Sequence, residues 1–578
     1  MVNLKINGIP VTVEDGTTIL NAALKANIKI PTLCYLKGVN EIGACRVCVV
    51  EVKNARTLIP SCVIPVSEGM EVFTNTERVR KARKKTLELT LSDHNKDCLS
   101  CCRNLKCELQ ALSEEYGCNS QAYNGEVNEF RKDTSSVYLE RDYSKCIVCK
   151  RCVAACKKQH VAIIGANNRG FHTHIGCALD DPLDNSPCIA CGQCVNVCPT
   201  GALKEKEEIV NVQKAIADPD KFVVVASAPA VRAALGEEFG LPIGTNVEGK
   251  MATALKMLGF NKVFDVNFAA DLTIMEEANE LVHRVQNKLP LPMITSCSPG
   301  WIRYMEFMYP EIIPHISTCK SPQQMYGAVT KTYYAEKNNI DPKNIYTVSI
   351  MPCTAKKFEK TREGQSASGY PDIDAVLTTR ELGKMIRQAG IMFKDLPDGT
   401  FDHPLGNYSG AGVIFGASGG VMEAALRTAA ETILGKPVKN LDYKEVRGTL
   451  GTKEAEYNLD GLKIKVCVTS GISNAKEICE KVKSGKADYH FIEIMSCEGG
   501  CINGGGQPIV DAFTRGNCDV KALRAKALYD IDGMAKIRKS HENPVMKELY
   551  DNFFEKPGSH KAHKVLHTSY KKREKYKI

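Results

Sequence analysis

Apolar and polar residues alternate over residues 2–13 and break at Asn7-Gly8, which predicts two short strands joined by a two-residue turn. Thr17 and Thr18 then stand before Ile19, Leu20, Ala23 and Leu24, the spacing of a helix entered through a hydroxyl cap. A second helix is expected near 77–92. From about residue 210 the pattern changes. Short apolar runs at 222–226, 291–295, 346–350, 413–415 and 491–494 read as buried strands, and amphipathic helices separate them. One helix, expected at 272–287, places Ile274, Ala278, Leu281, Val282 and Val285 on one face. Glu277, Glu280 and Arg284 follow at i, i+3, i+7 as a second stripe. That stripe lies beside the apolar face, so partial exposure is expected for it.

A chain of 578 residues is too long for a single core, and several domains are expected. No apolar run approaches the roughly 20 residues that span a bilayer. The start runs straight into a strand without a secretory core, so a cytoplasmic protein with no membrane insertion is expected. The formal charge of +9 counts every thiol as neutral. Arg78, Arg80, Lys81, Arg83, Lys84 and Lys85 form one basic run, and Lys571, Lys572, Arg573, Lys575 and Lys577 a basic tail. Such runs are solvated faces or docking patches for an acidic electron carrier. Nothing else suggests nucleic acid.

The twenty-six cysteines change the picture most. Cys146, Cys149, Cys152 and Cys156 form C-x2-C-x2-C-x3-C, and Cys188, Cys191, Cys194 and Cys198 repeat it before Pro199. This is the bacterial two-cluster ferredoxin arrangement, in which the fourth cysteine of each run ligates the other run's [4Fe–4S] cluster. Zinc knuckles are the competing use, but they rarely repeat four cysteines at these steps. Upstream, Cys34, Cys45, Cys48 and Cys62 follow the hairpin and helix, which suggests a β-grasp domain with a [2Fe–2S] cluster. His94, Cys98, Cys101 and Cys107 suit zinc by spacing alone. Their place between two iron–sulfur modules favours a third accessory [4Fe–4S] cluster with one histidine ligand.

Three of the expected strands stop at cysteines: Cys297, Cys353 and the pair Cys497 and Cys501. In a parallel α/β sheet chemistry gathers outside the carboxyl ends of strands, so a metal centre is expected there. The motifs TSCSPGW (295–301), MPCTAKKFE (351–359) and EIMSCEGGCINGGGQP (493–508) resemble the three signatures of the [FeFe]-hydrogenases. The chain is similar to the long clostridial type from end to end. The resemblance implies a multidomain α+β and α/β protein: a β-grasp ferredoxin-like domain (1–78), a small His/Cys cluster domain (79–126), a two-cluster ferredoxin domain (127–209) and a large α/β catalytic domain (210–578). It also implies an H-cluster, a [4Fe–4S] cube joined through cysteine to a diiron site with CO, cyanide and a bridging dithiolate. Cys501 would bridge cube and diiron site, with Cys353 and Cys497 as further ligands. Lys356 would hold a cyanide, Met351 and Met495 would pack on the diiron site, and Pro229 and Gln323 would line its wall. Glu277, Glu280, Ser317 and Arg284 would carry protons.

The first signature departs from the family's usual TSCCPGW at Ser298. Aligned directly, Cys297 is the proton relay and a serine stands where a thiolate binds iron. Alternatively, Ser298-Pro299 caps the next helix, Cys297 becomes the fourth ligand, and Ser298 or a water passes protons. The implied activity is reversible reduction of protons to dihydrogen, with electrons from a ferredoxin or flavodoxin-like carrier and with dedicated maturation proteins. Two other readings stand beside it: the hydrogen-handling subunit of an NAD(P)-linked complex with flavoprotein partners, and a non-catalytic iron–sulfur relative. The glycine-rich stretches 410–420 and 499–506 match no nucleotide loop and point instead to close backbone approach.

Overall fold

The computed structural model describes residues 1–128, 132–438, 441–459 and 462–576; Lys577 of the basic tail lies outside them. The chain forms two compact units. The first comprises Met1–Ser186, Val197–Lys204 and Ile509–Cys518, and the second Pro187–Asn196, Glu205–Pro508 and Asp519–Ile578.

In the first unit, strands Val2–Ile6 and Ile9–Val13 pair antiparallel with Ile6 opposite Ile9, and Asn7 and Gly8 turn between them at φ 50° and 82°. Val2–Ile6 also pairs parallel with Glu71–Phe73 at the centre of a five-stranded sheet. Helix Ile19–Lys25 crosses that sheet, its first turn capped by Thr18, which accepts from the Asn21 amide. A hairpin, a crossing helix and a returning parallel strand make the β-grasp. Helix Glu77–Ser92 follows, capped by Thr76. The basic run on this helix is not one patch. Arg83 turns inward to the Val49 carbonyl and the Tyr116 hydroxyl, while Lys81 pairs with Glu77.

The second unit holds two four-stranded sheets. One is wholly parallel, in the order Lys262–Asp265, Phe222–Ser227, Ile345–Met351, Ala375–Thr378. The other runs Met293–Ile294, Phe491–Met495, Leu462–Ser470, Thr452–Leu459, parallel except for its last hairpin. The strand expected at 291–295 is only two residues long. Pro292 has no N–H to give a ladder.

The strand expected at 413–415 is a helix, Gly410–Ile414. Three apolar residues do not separate the two conformations, and tertiary contacts decide: Ser409 binds both oxygens of Asp271 on the long helix Val266–Gln286. Gly412 then lies so close that a Cβ would stand 2.6 Å from the Asn267 carbonyl oxygen. A Gly412→Ala substitution should therefore cost about 2 kcal/mol by overpacking, read as a lower thermal midpoint.

The long helix begins six residues before the expected start, with the Asp265 side chain capping Asn267. It is buried nearly all round. Glu277 is 1% exposed and Arg284 7%, so the second stripe is far more enclosed than its sequence position suggests. No helix among the described residues is long and apolar enough to cross a membrane.

Candidate active site

Strand Ile345–Met351 ends at Pro352-Cys353, Phe491–Met495 at Ser496-Cys497, and Met293–Ile294 leads through Thr295 and Ser296 to Cys297. Their parallel ladders send all three loops out at carboxyl ends, where backbone amides and helix N-termini favour an anionic ligand. Gly499 and Gly500 make the turn into Cys501 at φ 85° and 98°. A Cβ at Gly504 would meet the Pro352 oxygen at 2.0 Å, and one at Gly505 the Cys191 oxygen at 2.2 Å. The glycine-rich 499–506 segment is thus a backbone seat between the Cys353 and Cys191 loops.

Burial pushes the Cys353 and Cys501 thiols up to about 12, with Cys497 adding to both. Cys297 is pushed up by burial, then by Glu277 and Cys501. Cys297, Cys353 and Cys501 are partly exposed, whereas Cys497 is buried. Converging soft donors that ionise only with a cationic partner fit an iron–sulfur cluster. Gln193 donates to the Cys497 sulfur at 3.3 Å and to the Asn503 carbonyl at 2.8 Å, and Thr354 donates to the Ala190 carbonyl at 2.6 Å. These bonds seat the Cys188–Cys191–Cys194 loop directly against the site.

Ser298 occupies the N-cap position with Pro299 at the first helical position, yet its side chain makes no capping bond. Its oxygen accepts from the Ser496 amide at 3.2 Å and lies 3.3 Å from the Ser496 hydroxyl, which is 3.9 Å from the Cys497 sulfur. Cys297 feels the charge of Glu277 and then of Cys501, so the two neighbours in sequence have different partners.

Lys356 is nine-tenths buried and donates to the Cys297 carbonyl at 3.2 Å, to Ser321 Oγ at 2.7 Å and to Glu359 at 2.9 Å. Gln323 donates to the same Glu359 oxygen at 3.1 Å and accepts from Ser349. Pro229, Met351 and Met495 are all buried; the Ala228 amide bonds to Ile350, which sets Pro229 beside Met351.

Neither carboxylate oxygen of Glu277 makes a hydrogen bond of normal geometry. Burial raises it to about 8, with help from Glu280 and against a weak pull from Ser317 and the Ser296 backbone. Ser317 donates to Glu280 Oε2 at 3.0 Å, and Arg284 holds Glu280 Oε1 through Nε at 3.0 Å and Nη2 at 2.7 Å.

In the first unit Cys34 and Cys45 share a hydrogen bond, as do Cys48 and Cys62, whose sulfurs are 3.4 Å apart. Cys45 is lowered to about 6 by the Cys34 thiol, and Cys48 to about 7 by Cys62. His94 is held down to about 4 by burial and then Lys145, and its Nδ1 is a buried nitrogen without a hydrogen-bond partner. A neutral imidazole with a bare nitrogen is a metal ligand in waiting. Cys98 lies on the same short loop, where the Cys101 amide bonds to its carbonyl. Cys101 is lowered to about 5, first by the Cys102 thiol and with help from Lys145, whereas burial raises Cys107. Cys146, Cys149, Cys152 and Cys198 line one small enclosed space, which places the second run's last cysteine with the first run's three. Cys188, Cys191 and Cys194 are together in the second unit, and Cys156 belongs to the first.

Glu359 stands three residues after Lys356, a spacing that could have disclosed it. Gln193, Ser321 and Ser496 carry no local signal.

Residues 221–505 match the family described as iron only hydrogenase large subunit, C-terminal domain. The NADP-reducing hydrogenase subunit HndD of Solidesulfovibrio fructosivorans is 47% identical over 100% of this chain and 100% of its own length. The chain belongs to the iron-only hydrogenases.

Iron hydrogenase 1 of Clostridium pasteurianum is 44% identical over 99% of this hydrogenase and 100% of its own chain. A solved apo variant of the [FeFe]-hydrogenase HydA1 from Chlamydomonas reinhardtii shares 42% identity, covering 63% of this chain and 98% of that one, with a TM-score of 0.56. Residues 1–77 match a 2Fe-2S iron-sulfur cluster binding domain, 83–122 an iron–sulfur binding region of NADH-ubiquinone oxidoreductase-G, and 145–208 a 4Fe-4S dicluster domain. Residues 518–573 match the iron hydrogenase small subunit, a division within the catalytic part that periodicity does not reveal. This hydrogenase is a multidomain α/β enzyme with an iron–sulfur electron relay and an H-cluster.

Proposed function

We propose that this hydrogenase interconverts two protons and two electrons with dihydrogen at an H-cluster that Cys353, Cys497 and Cys501 would hold. Cys34, Cys45, Cys48 and Cys62 would hold one [2Fe–2S] cluster of the electron relay, His94, Cys98, Cys101 and Cys107 one accessory [4Fe–4S] cluster, and the paired cysteine runs two more. These clusters are assigned to residues 1–78, 79–126 and 127–209, and the H-cluster to 210–578. When bound, the H-cluster supplies the iron centre at which dihydrogen is formed and cleaved; orientation, exclusion of water and proton handling fall to this chain.

The observation that carries the reading is Glu277. A buried carboxyl without a hydrogen bond of normal geometry, raised to about 8 and coupled by charge to Cys297 and Glu280, suits a proton carrier at neutral pH. A non-catalytic iron–sulfur protein has no use for so costly a group. Cys297 is accordingly assigned as the relay next to Glu277, and the Ser298 oxygen, on the Cys497 side, to the fourth corner of the cube. Lys356 supplies positive charge toward the cyanide ligands, held in place by Ser321 and Glu359, and Met351, Met495, Pro229 and Gln323 form the wall. Infrared spectra of the matured protein should show CO and cyanide bands together with hydrogen evolution; their absence refutes the assignment. Glu359→Gln removes the anion that steadies Lys356 and should lower turnover about tenfold, read by viologen-coupled hydrogen evolution with iron content unchanged.

Two electron partners fit. A ferredoxin or flavodoxin-like carrier suits the accessory relay. The full-length similarity to a subunit of an NADP-reducing hydrogenase favours flavoprotein subunits as partners. Purification from the native cell distinguishes them, because flavoprotein subunits either co-migrate with this chain or do not.

A further inference from the structure

Cys188, Cys191 and Cys194 lie in the same compact unit as the active-site cysteines, and one side chain joins the two groups. Ala190 and Gly192 turn the Cys188–Cys194 loop at φ 58° and 68°. Gly192 has no room for a side chain, because a Cβ would stand 2.4 Å from Thr354 Oγ1 and 3.0 Å from the Gly505 Cα. That close approach brings Gln193, the first residue of helix Gln193–Asn196, against the Cys497 loop.

Gln193 is buried, and its amide carries two N–H groups. They are shared between Cys497 Sγ at 3.3 Å and the Asn503 carbonyl at 2.8 Å. The amide therefore cannot turn over without losing two bonds. A second hydroxyl neighbour of the same sulfur, Ser496 Oγ, is more distant at 3.9 Å. Burial raises the Cys497 thiol, and Gln193, Ser496 and the Gly505 amide pull against that rise. The rise of Cys501 comes from burial and then from Cys497, with the charge of Lys356 opposing it. Side-chain donors thus gather on the sulfur that meets the relay loop. The influence runs both ways, since Cys191 is raised by burial and then by Cys497.

We propose that Gln193 is the positioning residue that couples the relay to the active centre, its N–H on the Cys497 sulfur holding up the reduction potential of the cube that Cys497 would carry. This rests on the cysteine assignment made above. A cluster that takes an electron gains negative charge, and a donor on a ligand sulfur stabilises the reduced form more than the oxidised one. The bond therefore favours the electron on the active-site side. It also replaces a van der Waals gap between two loops with a continuous run of covalent and hydrogen bonds from Cys194 through Gln193 to Cys497. One electron crosses at a time, no bond breaks, and no proton accompanies it.

Asn196 separates this role from simple packing of the loop. It stands on the same helical turn, donates through Nδ2 to the Gly504 carbonyl at 3.0 Å and accepts from Arg380 at 3.0 Å. Its bonds seat the same loop through a backbone carbonyl and a guanidinium rather than through a sulfur.

The test uses the matured holoenzyme and infrared spectroelectrochemistry, in which the CO bands of the diiron site move when the adjoining cube takes an electron. Gln193→Leu fills the space and offers no donor. It should lower the potential at which the bands move, by roughly tenfold in the reduction equilibrium constant or about 59 mV for one electron, with iron content unchanged. Asn196→Leu should keep the wild-type potential. Gln193→Glu keeps the shape but sets a carboxylate beside the sulfur, so it should lower the potential further, and it decides the matter if the leucine variant does not load iron. A wild-type or higher potential in the Gln193 variants would overturn the proposal. Equal shifts in Gln193→Leu and Asn196→Leu would overturn it too, since the seating of the loop would then set the potential. A cube that survives Cys497→Ala with an unchanged spectrum would refute the cysteine assignment instead.

Discussion

Glu277→Gln should lower hydrogen evolution by two to three orders of magnitude, roughly the full contribution of a positioned acid–base group. The amide has nearly the same shape, so iron content and the infrared bands of the active site should stay as in wild type. The pH dependence follows from burial. Glu277 is raised from 4.5 to about 8, so the folded chain keeps a proton over that window that the unfolded chain releases. Wild-type activity should fall on the alkaline side near pH 8 as the carrier empties. Stability moves with the same proton: burial of the neutral acid costs nothing extra below about pH 4.5, and the penalty grows as pH rises and is complete past the folded pKa. Glu277→Gln escapes that penalty, so its advantage over wild type should grow toward alkaline pH, to on the order of 5 kcal/mol. A midpoint difference that does not change with pH, or a fully active variant, would show that Glu277 is not the buried proton holder.

Cys297→Ala should be as damaging, about a thousandfold, with the [4Fe–4S] signal of the cube retained. Cys297 feels Glu277 more strongly than any other charged neighbour, whereas Ser298 is turned to Ser496 on the Cys497 side. On the proposed assignment, removal of the thiol would break the first proton step and leave the cube's ligands alone. Ser298→Cys is the complementary change. A thiolate added at the fourth corner brings negative charge to the cube, which should make it harder to reduce, seen as a lower potential in an electron paramagnetic resonance titration. If Cys297→Ala instead loses the cube and Ser298→Ala is the variant that loses only turnover, the two roles are exchanged.

Much of this was legible from spacing. The hairpin at Asn7-Gly8, the Thr18 cap, the helix at 77–92 and the strands ending at Cys353 and Cys497 all lie where periodicity and turn chemistry put them. Failures came where a few residues had to speak for a long-range contact. The apolar run at 413–415 is helical because Asp271, more than a hundred positions away, grips Ser409. Ser298 sits at the cap position expected of it, but its hydroxyl is taken by Ser496, 198 positions on. The basic run from Arg78 to Lys85 contains Arg83, which points inward because the Val49 carbonyl needs a donor.

Cysteine spacing alone determined that this chain holds iron–sulfur clusters, since a turn of two or three residues is what brings consecutive thiolates round one metal core. Spacing also put Cys297, Cys353, Cys497 and Cys501 beyond the ends of three strands. Only the tertiary structure decided which carboxyl is enclosed. A carboxylate in a polar stripe holds its proton to higher pH when neighbours exclude water, and no local pattern reports that enclosure. Gln193 meets Cys497 across 304 positions. Local sequence fixes which atoms a turn can gather, but burial and the partners of a buried group belong to the fold as a whole.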